Sequence, residues 1–176
     1  DSDQTIPFSD FNAEIKATST CLTRCGNFGC VGTSHGTVEV FVTQSCRWKG
    51  SIEKAHDAPI VFVHIDAMNT VICSGSVDGT IFFHEFESPG FTGAMDIPGP
   101  ITKMKPHTNS HLLAISCCKG EKILLIDILS RTIAREFDVK NAECFCFSHD
   151  GKFFFVSNEE GEVFLFDMIT ATLIEK

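Results

Sequence analysis

An all-β fold of about four repeated four-stranded sheets is what this sequence predicts, and three observations carry it. The turn glycines Gly36, Gly79, Gly120 and Gly161 recur 43, 41 and 41 residues apart, each with strand-like residues on both sides. A second turn precedes each of them by about ten residues, the usual spacing of short strands. These second turns are Cys25-Gly26-Asn27, Ala67-Met68-Asn69, Thr108-Asn109-Ser110 and Asp150-Gly151. The runs between turns are rich in Val, Ile, Thr and Phe, which fit a pleated surface. Two turns held in phase over a period of about 40 residues mark β-propeller blades rather than a helical solenoid.

The elements follow from this punctuation. Strands are expected at 19–23, 28–33, 37–42 and 46–52, then at 60–65, 70–74, 80–86 and 93–97. The third set is 101–105, 111–116, 122–127 and 131–137, and the fourth 143–147, 152–157, 162–167 and 172–174. Gly, Asn and Asp sit between them because tight hairpin turns need positive φ, where a Cβ is costly. Val61-Phe62-Val63, Ile123-Leu124-Leu125-Ile126 and Phe153-Phe154-Phe155-Val156 are apolar without alternation. Such runs are expected where a sheet is covered on both faces. The blades then divide as 18–53, 54–99, 100–138 and 139–176, with 1–17 a partial strand or linker. The stretch 87–99, holding Pro89, Gly90, Gly93, Pro98 and Gly99, reads as an extended surface loop around a short outer strand.

Composition narrows the function classes. Fourteen basic residues against 23 acidic ones give a net charge of −9, which disfavours unaided binding to a phosphate backbone. The basic residues fall in scattered pairs, not a stripe. No apolar run approaches the roughly 18–20 residues that span a bilayer, and no basic segment followed by an apolar stretch marks a signal peptide. The chain opens on Asp1 rather than Met, as an excised or processed segment would. Nine cysteines, an odd number, show no disulfide spacing. Cys30, Cys73, Cys117, Cys144 and Cys146 stand where small apolar residues would fit a strand, and reduced thiols point to the nucleus or cytosol.

No catalytic constellation emerges. Cys144-x-Cys146 and Cys117-Cys118 lack zinc spacings and read as core residues. The histidines form no H-E-x-x-H pair, and His64 and His84 read as satisfied strand residues. Ser74-Gly75-Ser76 ends a strand rather than forming a nucleophile elbow. The 17 Phe, with no Tyr, favour dry packing between sheets over a base-stacking surface. The expectation is a protein that is not an enzyme, with no cofactor, no metal and no small-molecule substrate.

Ser74-Gly75-Ser76-Val77-Asp78-Gly79-Thr80-Ile81 resembles the strongest sequence mark of WD-repeat propellers, and Phe147-Ser148-His149-Asp150-Gly151-Lys152 resembles that family's inner hairpin. Ile126-Asp127 and Phe166-Asp167 stand where its Trp-Asp dipeptide would be. No repeat keeps the Trp: Phe41, His84, Ile126 and Phe166 occupy those places, and Trp48 lies elsewhere. The resemblance implies a WD-repeat β-propeller of which these blades are part, the whole having about seven within the usual range of 4–8. It also implies a structural blade lock of His56, Ser74 and Asp78, with His84 in place of the Trp and the Asp buried and paired. In the other repeats His35, Lys119 or Glu160 fills the Asp position, so the lock is absent or altered there.

Further segments resemble the second propeller of the tandem WD-repeat subunits in the UTP-B module of the small-subunit processome. They are Cys25-Gly26-Asn27-Phe28 with Gly36-Thr37-Val38-Glu39-Val40, Asp66-Ala67-Met68-Asn69, the run from Asp127 to Phe137, and Thr172-Leu173-Ile174-Glu175. The implied function is a noncatalytic interaction scaffold in small-subunit ribosome biogenesis and pre-rRNA processing, linked to a small nucleolar RNP in the nucleolus. The implied partners are other protein subunits of a large assembly, with any contact to pre-rRNA or small nucleolar RNA indirect or local. A WD-repeat peptide-binding adaptor of a ubiquitin-ligase or chromatin complex, with a cytoplasmic location, is the alternative. The loops 54–59, 87–99 and 139–142 are the candidate contacts, with no single residue assigned.

Overall fold

The computed structural model describes residues 15–53, 55–66, 68–87, 90–108, 110–117, 121–170 and 172–175. Among them sixteen strands form four antiparallel sheets, each a meander in chain order. The first sheet is β1 (Ala17–Leu22), β2 (Phe28–Thr33), β3 (Val38–Val42) and β4 (Arg47–Ile52). The second is β5 (Ile60–Ile65), β6 (Val71–Ser76), β7 (Thr80–Glu85) and β8 (Phe91–Asp96). The third is β9 (Ile101–Pro106), β10 (Leu112–Cys117), β11 (Lys122–Asp127) and β12 (Thr132–Phe137). The fourth is β13 (Ala142–Phe147), β14 (Phe153–Asn158), β15 (Val163–Asp167) and β16 (Leu173–Glu175).

Positive φ falls where the turn signals put it. Gly36, Gly79 and Gly161 stand at φ 76°, 88° and 80°, and Gly26, Asn69 and Gly151 at 71°, 56° and 73°. Gly120, Cys118, Lys119, Asn109, Ala67, Pro89, Lys54 and the segment 1–14 lie outside the described residues. Two expected strand starts are corrected. Cys46 and Arg131 sit at φ 50° and 56°, in the turns before β4 and β12. The Cys46 N–H donates to the Thr43 carbonyl at 3.2 Å and the Arg131 N–H to that of Asp127 at 2.8 Å. A left-handed residue cannot continue an extended ladder, so each strand begins one residue later.

In the third and fourth sheets an aspartate closes this outer turn. Asp127 Oδ1 accepts the Leu129 and Ser130 N–H groups at 2.8 and 3.0 Å. Asp167 Oδ1 accepts those of Ile169 and Thr170 at 2.7 and 2.9 Å. These are Asx turns. They hold Asp127 and Asp167 in place by local hydrogen bonds that need no neighbouring Trp.

The chain divides into two compact units, Asp1–Asp96 and Ile97–Lys176. In the first unit the core comprises Cys30, Val38, Val40 and Ile52 of the first sheet, with Ile60, Val63, Ile65 and Ile72 of the second. In the second unit Ala114, Ile123, Leu125 and Phe137 of the third sheet meet Phe145, Phe154, Val156 and Phe166 of the fourth. Phe154 is the hub, its ring 4.7 Å from Phe147, 5.2 Å from Phe137 and 5.9 Å from Phe145. Tilted pairs at such spacing add to the burial of the rings themselves. Arg135 straps the same pair of sheets, its guanidinium donating to the carbonyls of Met168 at 2.7 Å and Ile169 at 3.3 Å.

One glycine is fixed by contact as well as by φ. The Gly36 carbonyl accepts the His56 N–H at 3.0 Å, and a Cβ on Gly36 would meet the His56 carbonyl oxygen at 1.9 Å. Backbone is touching backbone, so no side-chain rotation relieves the clash. Gly161 has the same turn role but nothing within 4 Å of its Cβ direction. Gly36→Ala is expected to cost more than about 2 kcal/mol, and Gly161→Ala only about 1 kcal/mol from left-handed strain. Denaturant melts of the two variants measure the difference.

Candidate functional site

Two places in the structure carry side chains beyond what folding a generic sheet requires. The first is the second sheet, where the connection before β5 drops His56 against β6 and the start of β7. His56 Nε2 lies 2.8 Å from Ser74 Oγ, and His56 Nδ1 lies 2.8 Å from Thr80 Oγ1. Thr80 Oγ1 donates to Asp78 Oδ1 at 2.6 Å, and the Thr80 N–H donates to the same oxygen at 2.8 Å. One proton arrangement gives every hydroxyl an acceptor. Ser74 donates to Nε2, the Nδ1–H donates to Thr80, and Thr80 donates to Asp78. That arrangement uses the neutral imidazole. Burial lowers the His56 pKa in the same sense, against the opposing pull of the Asp78 charge.

The geometry departs from the sequence expectation at two of the four residues. Asp78 is exposed, not buried; it reaches His56 through Thr80, a residue outside the expected set. The Asp-Gly-Thr spacing carries the signal that could have found Thr80, since an Asx oxygen commonly accepts from the residue two positions on. His84 stands apart. Its ring is buried, yet neither ring nitrogen has a hydrogen-bond partner among the described residues. The Phe82 ring packs 4.5 Å from His56 and 6.3 Å from His84. Burial, reinforced by repulsion from His56, lowers the His84 pKa to about 4.

The first and fourth sheets close the equivalent turn differently. In the first, Thr33 Oγ1 and Thr37 Oγ1 are 2.7 Å apart. In the fourth, Asn158 Nδ2 donates to Glu162 Oε2 at 3.0 Å and Asn158 Oδ1 accepts the Glu162 N–H at 2.9 Å. The position of Ser74 is held there by Val31 and Val156, so no hydroxyl waits for a histidine.

Two buried carboxylates also went unread in the sequence. Glu39 accepts from the Trp48 indole at 2.8 Å, and burial raises its pKa against that bond. Asp66 accepts four donors, from the backbones of Met68, Thr70 and Val71 and the Thr70 hydroxyl. Glu39 ties β3 to β4, and Asp66 closes the turn between β5 and β6.

The second place is the far face of the fourth sheet. Register puts Cys146, Phe155, Leu165 and Glu175 side by side, with Cys144, Ser157 and Val163 beside them. This face corrects the core reading of Cys144 and Cys146, both of which are exposed. Their strand neighbour Phe145 is buried in the core, and Lys103 Nζ reaches Cys144 Sγ at 3.9 Å without burying either cysteine. Phe155 and Val163 keep 38% and 54% of their surface in water. A shallow depression of about 620 Å³ runs over Phe155, Val163, Leu165 and Glu175.

The candidate loops fare unevenly. In 54–59 the described Ala55 and His56 are buried, and in 139–142 Val139 and Ala142 are buried. The stretch 87–99 contains β8, with Phe91 exposed at its start. Among the described residues no group of three or more His, Cys, Asp or Glu is placed to hold a metal ion.

Residues 5–176 match the WDR36/Utp21 second beta-propeller domain. This chain belongs to that family. Among its relatives is the U3 small nucleolar RNA-associated protein 21 homolog of Schizosaccharomyces pombe, 29% identical over 89% of this chain and 18% of that protein. The U3 small nucleolar RNA-associated protein 21 of Saccharomyces cerevisiae is 26% identical over 89% of this chain and 17% of its own length. WD repeat-containing protein 36 of Homo sapiens is 28% identical over 92% of this chain and 18% of its own length. The chain thus spans less than a fifth of these relatives. In fold it is similar to a chain of the mitotic checkpoint complex (TM-score 0.81, 14% identity, covering 94% of this chain and 52% of that one). It is also similar to the RRP9 WD40 repeats (TM-score 0.77, 10% identity, covering 93% and 52%). The four sheets of this WDR36/Utp21 domain are therefore WD40-type blades that account for part of a propeller.

Histidine burial sets a pH dependence for this domain. Both folded-state pKa values lie below the unfolded value near 6.5. On acidification the unfolded chain takes up protons that the folded chain refuses, so stability is full above about pH 7 and falls towards pH 5. His84→Phe is expected to reduce that loss and to add about 1 kcal/mol at neutral pH by removing two unpaired ring nitrogens. Denaturant midpoints of both proteins across this range test it; an unchanged midpoint at neutral pH contradicts the burial argument.

Proposed function

We propose that this chain is part of a noncatalytic scaffold that joins protein subunits of a small-subunit ribosome-biogenesis assembly associated with the U3 small nucleolar RNP, in the nucleolus. The observation that carries the reading is the family match over nearly the whole chain. Two of its relatives are named for association with U3 small nucleolar RNA. The geometry agrees in kind. Short turns on stacked sheets present many contacts at low entropy cost.

The far face of the fourth sheet supports the further proposal that more blades of the whole protein pack against it. An apolar face holding Phe155, Val163 and Leu165 is built to be covered. With net charge −9, contact with pre-rRNA runs through partner proteins or through a local patch.

Affinity purification of the full-length protein, followed by mass spectrometry and RNA sequencing, tests the assignment. Preribosomal proteins and a U3-type small nucleolar RNA are expected to co-purify, and recovery of neither would overturn the reading. For the uncovered face, residues 1–176 expressed alone are expected to self-associate in size-exclusion chromatography with light scattering. A Phe155→Lys, Val163→Lys double variant should lessen this. A well-folded, soluble monomer of the unaltered chain would contradict the need for cover.

A further inference from the structure

The first unit holds a sulfur cluster that neither the lock nor the propeller fold explains. Cys21 of β1 and Cys30 of β2 are direct cross-strand partners. Opposed residues in an antiparallel pair have Cα atoms about 4.5–5.5 Å apart, inside the 4.4–6.8 Å window that a disulfide spans. Both thiols are free. From β5, His64 brings its Nδ1 to 3.7 Å from Cys21 Sγ. The Cys21 thiol also donates to the Leu22 carbonyl at 3.4 Å. One half-buried thiol thus faces Cys30 of β2 and the imidazole of β5 together.

We propose that Cys21 and Cys30, together with His64, form a hydroperoxide-responsive dithiol in which Cys21 is oxidised first and Cys30 resolves it as a disulfide joining β1 to β2. In the first step the Cys21 sulfur attacks one peroxide oxygen. The S–O bond forms, the O–O bond breaks, and the leaving oxygen takes the proton that Cys21 gave to the imidazole. The products are a sulfenic acid and water, with sulfur oxidised by two electrons and the peroxide reduced. In the second step the Cys30 sulfur attacks Cys21 and the S–OH bond breaks. Its oxygen leaves as a second water carrying the Cys30 proton.

The environment divides the roles. The donors from Cys30, His64 and Ile65 hold the Cys21 pKa well below the ordinary thiol range, against the cost of burial. Cys30 is pushed the other way by its bond to Cys21 and by burial. Cys73, nearby, is also raised, chiefly by burial. One thiol is poised as the nucleophile, and its partner keeps its proton until a sulfenic acid appears beside it. The geometry carries the same division, since Cys21 is half-buried beside the His64 ring while Cys30 is fully buried.

The sequence makes the test direct. Trypsin cuts after Lys16, Arg24 and Arg47, so Cys21 is the sole cysteine of peptide 17–24, while Cys30 lies in peptide 25–47 with Cys25 and Cys46. The full-length protein, reduced and then exposed to submillimolar hydrogen peroxide, is expected to yield 17–24 linked to 25–47, with fragment ions placing the bond on Cys30. Cys30→Ser should leave Cys21 as a sulfenic acid trapped by a cyclic 1,3-diketone. His64→Gln should slow Cys21 oxidation by about tenfold. In the unaltered protein, iodoacetamide should alkylate Cys21 nearly as fast at about pH 6 as at about pH 8, unlike glutathione alkylated in parallel. Peptide 17–24 remaining unlinked and unlabelled at peroxide levels that oxidise the exposed Cys144 would overturn the proposal. So would a bond to Cys25, or Cys21 alkylation that rises with pH as that of glutathione does.

Discussion

A four-stranded meander can hide only as much apolar surface as a neighbouring sheet covers, and this constraint shapes the whole chain. Its central strands are apolar on both faces, so each sheet needs company on both sides. Within the first unit Cys30, Val40 and Ile52 supply one side of that contact and Ile60, Val63 and Ile72 the other. Within the second, Phe154 gathers rings from both sheets. Where cover ends, at the far face of the fourth sheet, cysteine and phenylalanine stand in water. The same residue types have opposite fates because of what lies opposite them, not because of what they are.

That is also why some features were legible in the sequence and others were not. Strand positions and turns follow from local chemistry. Gly36, Gly79, Gly161 and Asn69 adopt positive φ where a tight hairpin needs it, and an eight- to ten-residue spacing leaves little freedom between them. Cys144 and Cys146 were misread because alternation shows which residues share a face, but not whether that face has a neighbour. Asp78 was misplaced for a related reason. A motif gives the order of a hydrogen-bond chain, and exposure depends on where the turn ends. Cys46 and Arg131 show the finer limit, since a one-residue left-handed kink in an outer turn leaves no compositional mark.

The second sheet joins polar and apolar contacts at one ring. Ser74 bonds to His56, while His84 stands outside the hydrogen-bonded chain. Phe82 stacks on the His56 ring and gives the network an apolar wall. The neutral His56 remains useful because Thr80 relays it to an exposed carboxylate, which places a buried ring nitrogen within two hydrogen bonds of water.

The described turns at the ends of the second strands are each tied off by different chemistry: two threonines in the first sheet, an aspartate, threonine and histidine in the second, an asparagine and glutamate in the fourth. Arrays of near-identical modules are prone to mispairing, because one copy can dock where another belongs. Here a segment that strayed into its neighbour's place would arrive with the wrong fastening and leave hydroxyls or carboxylates stranded. Divergence among these three copies thus makes each fastening fit its own berth and no other's.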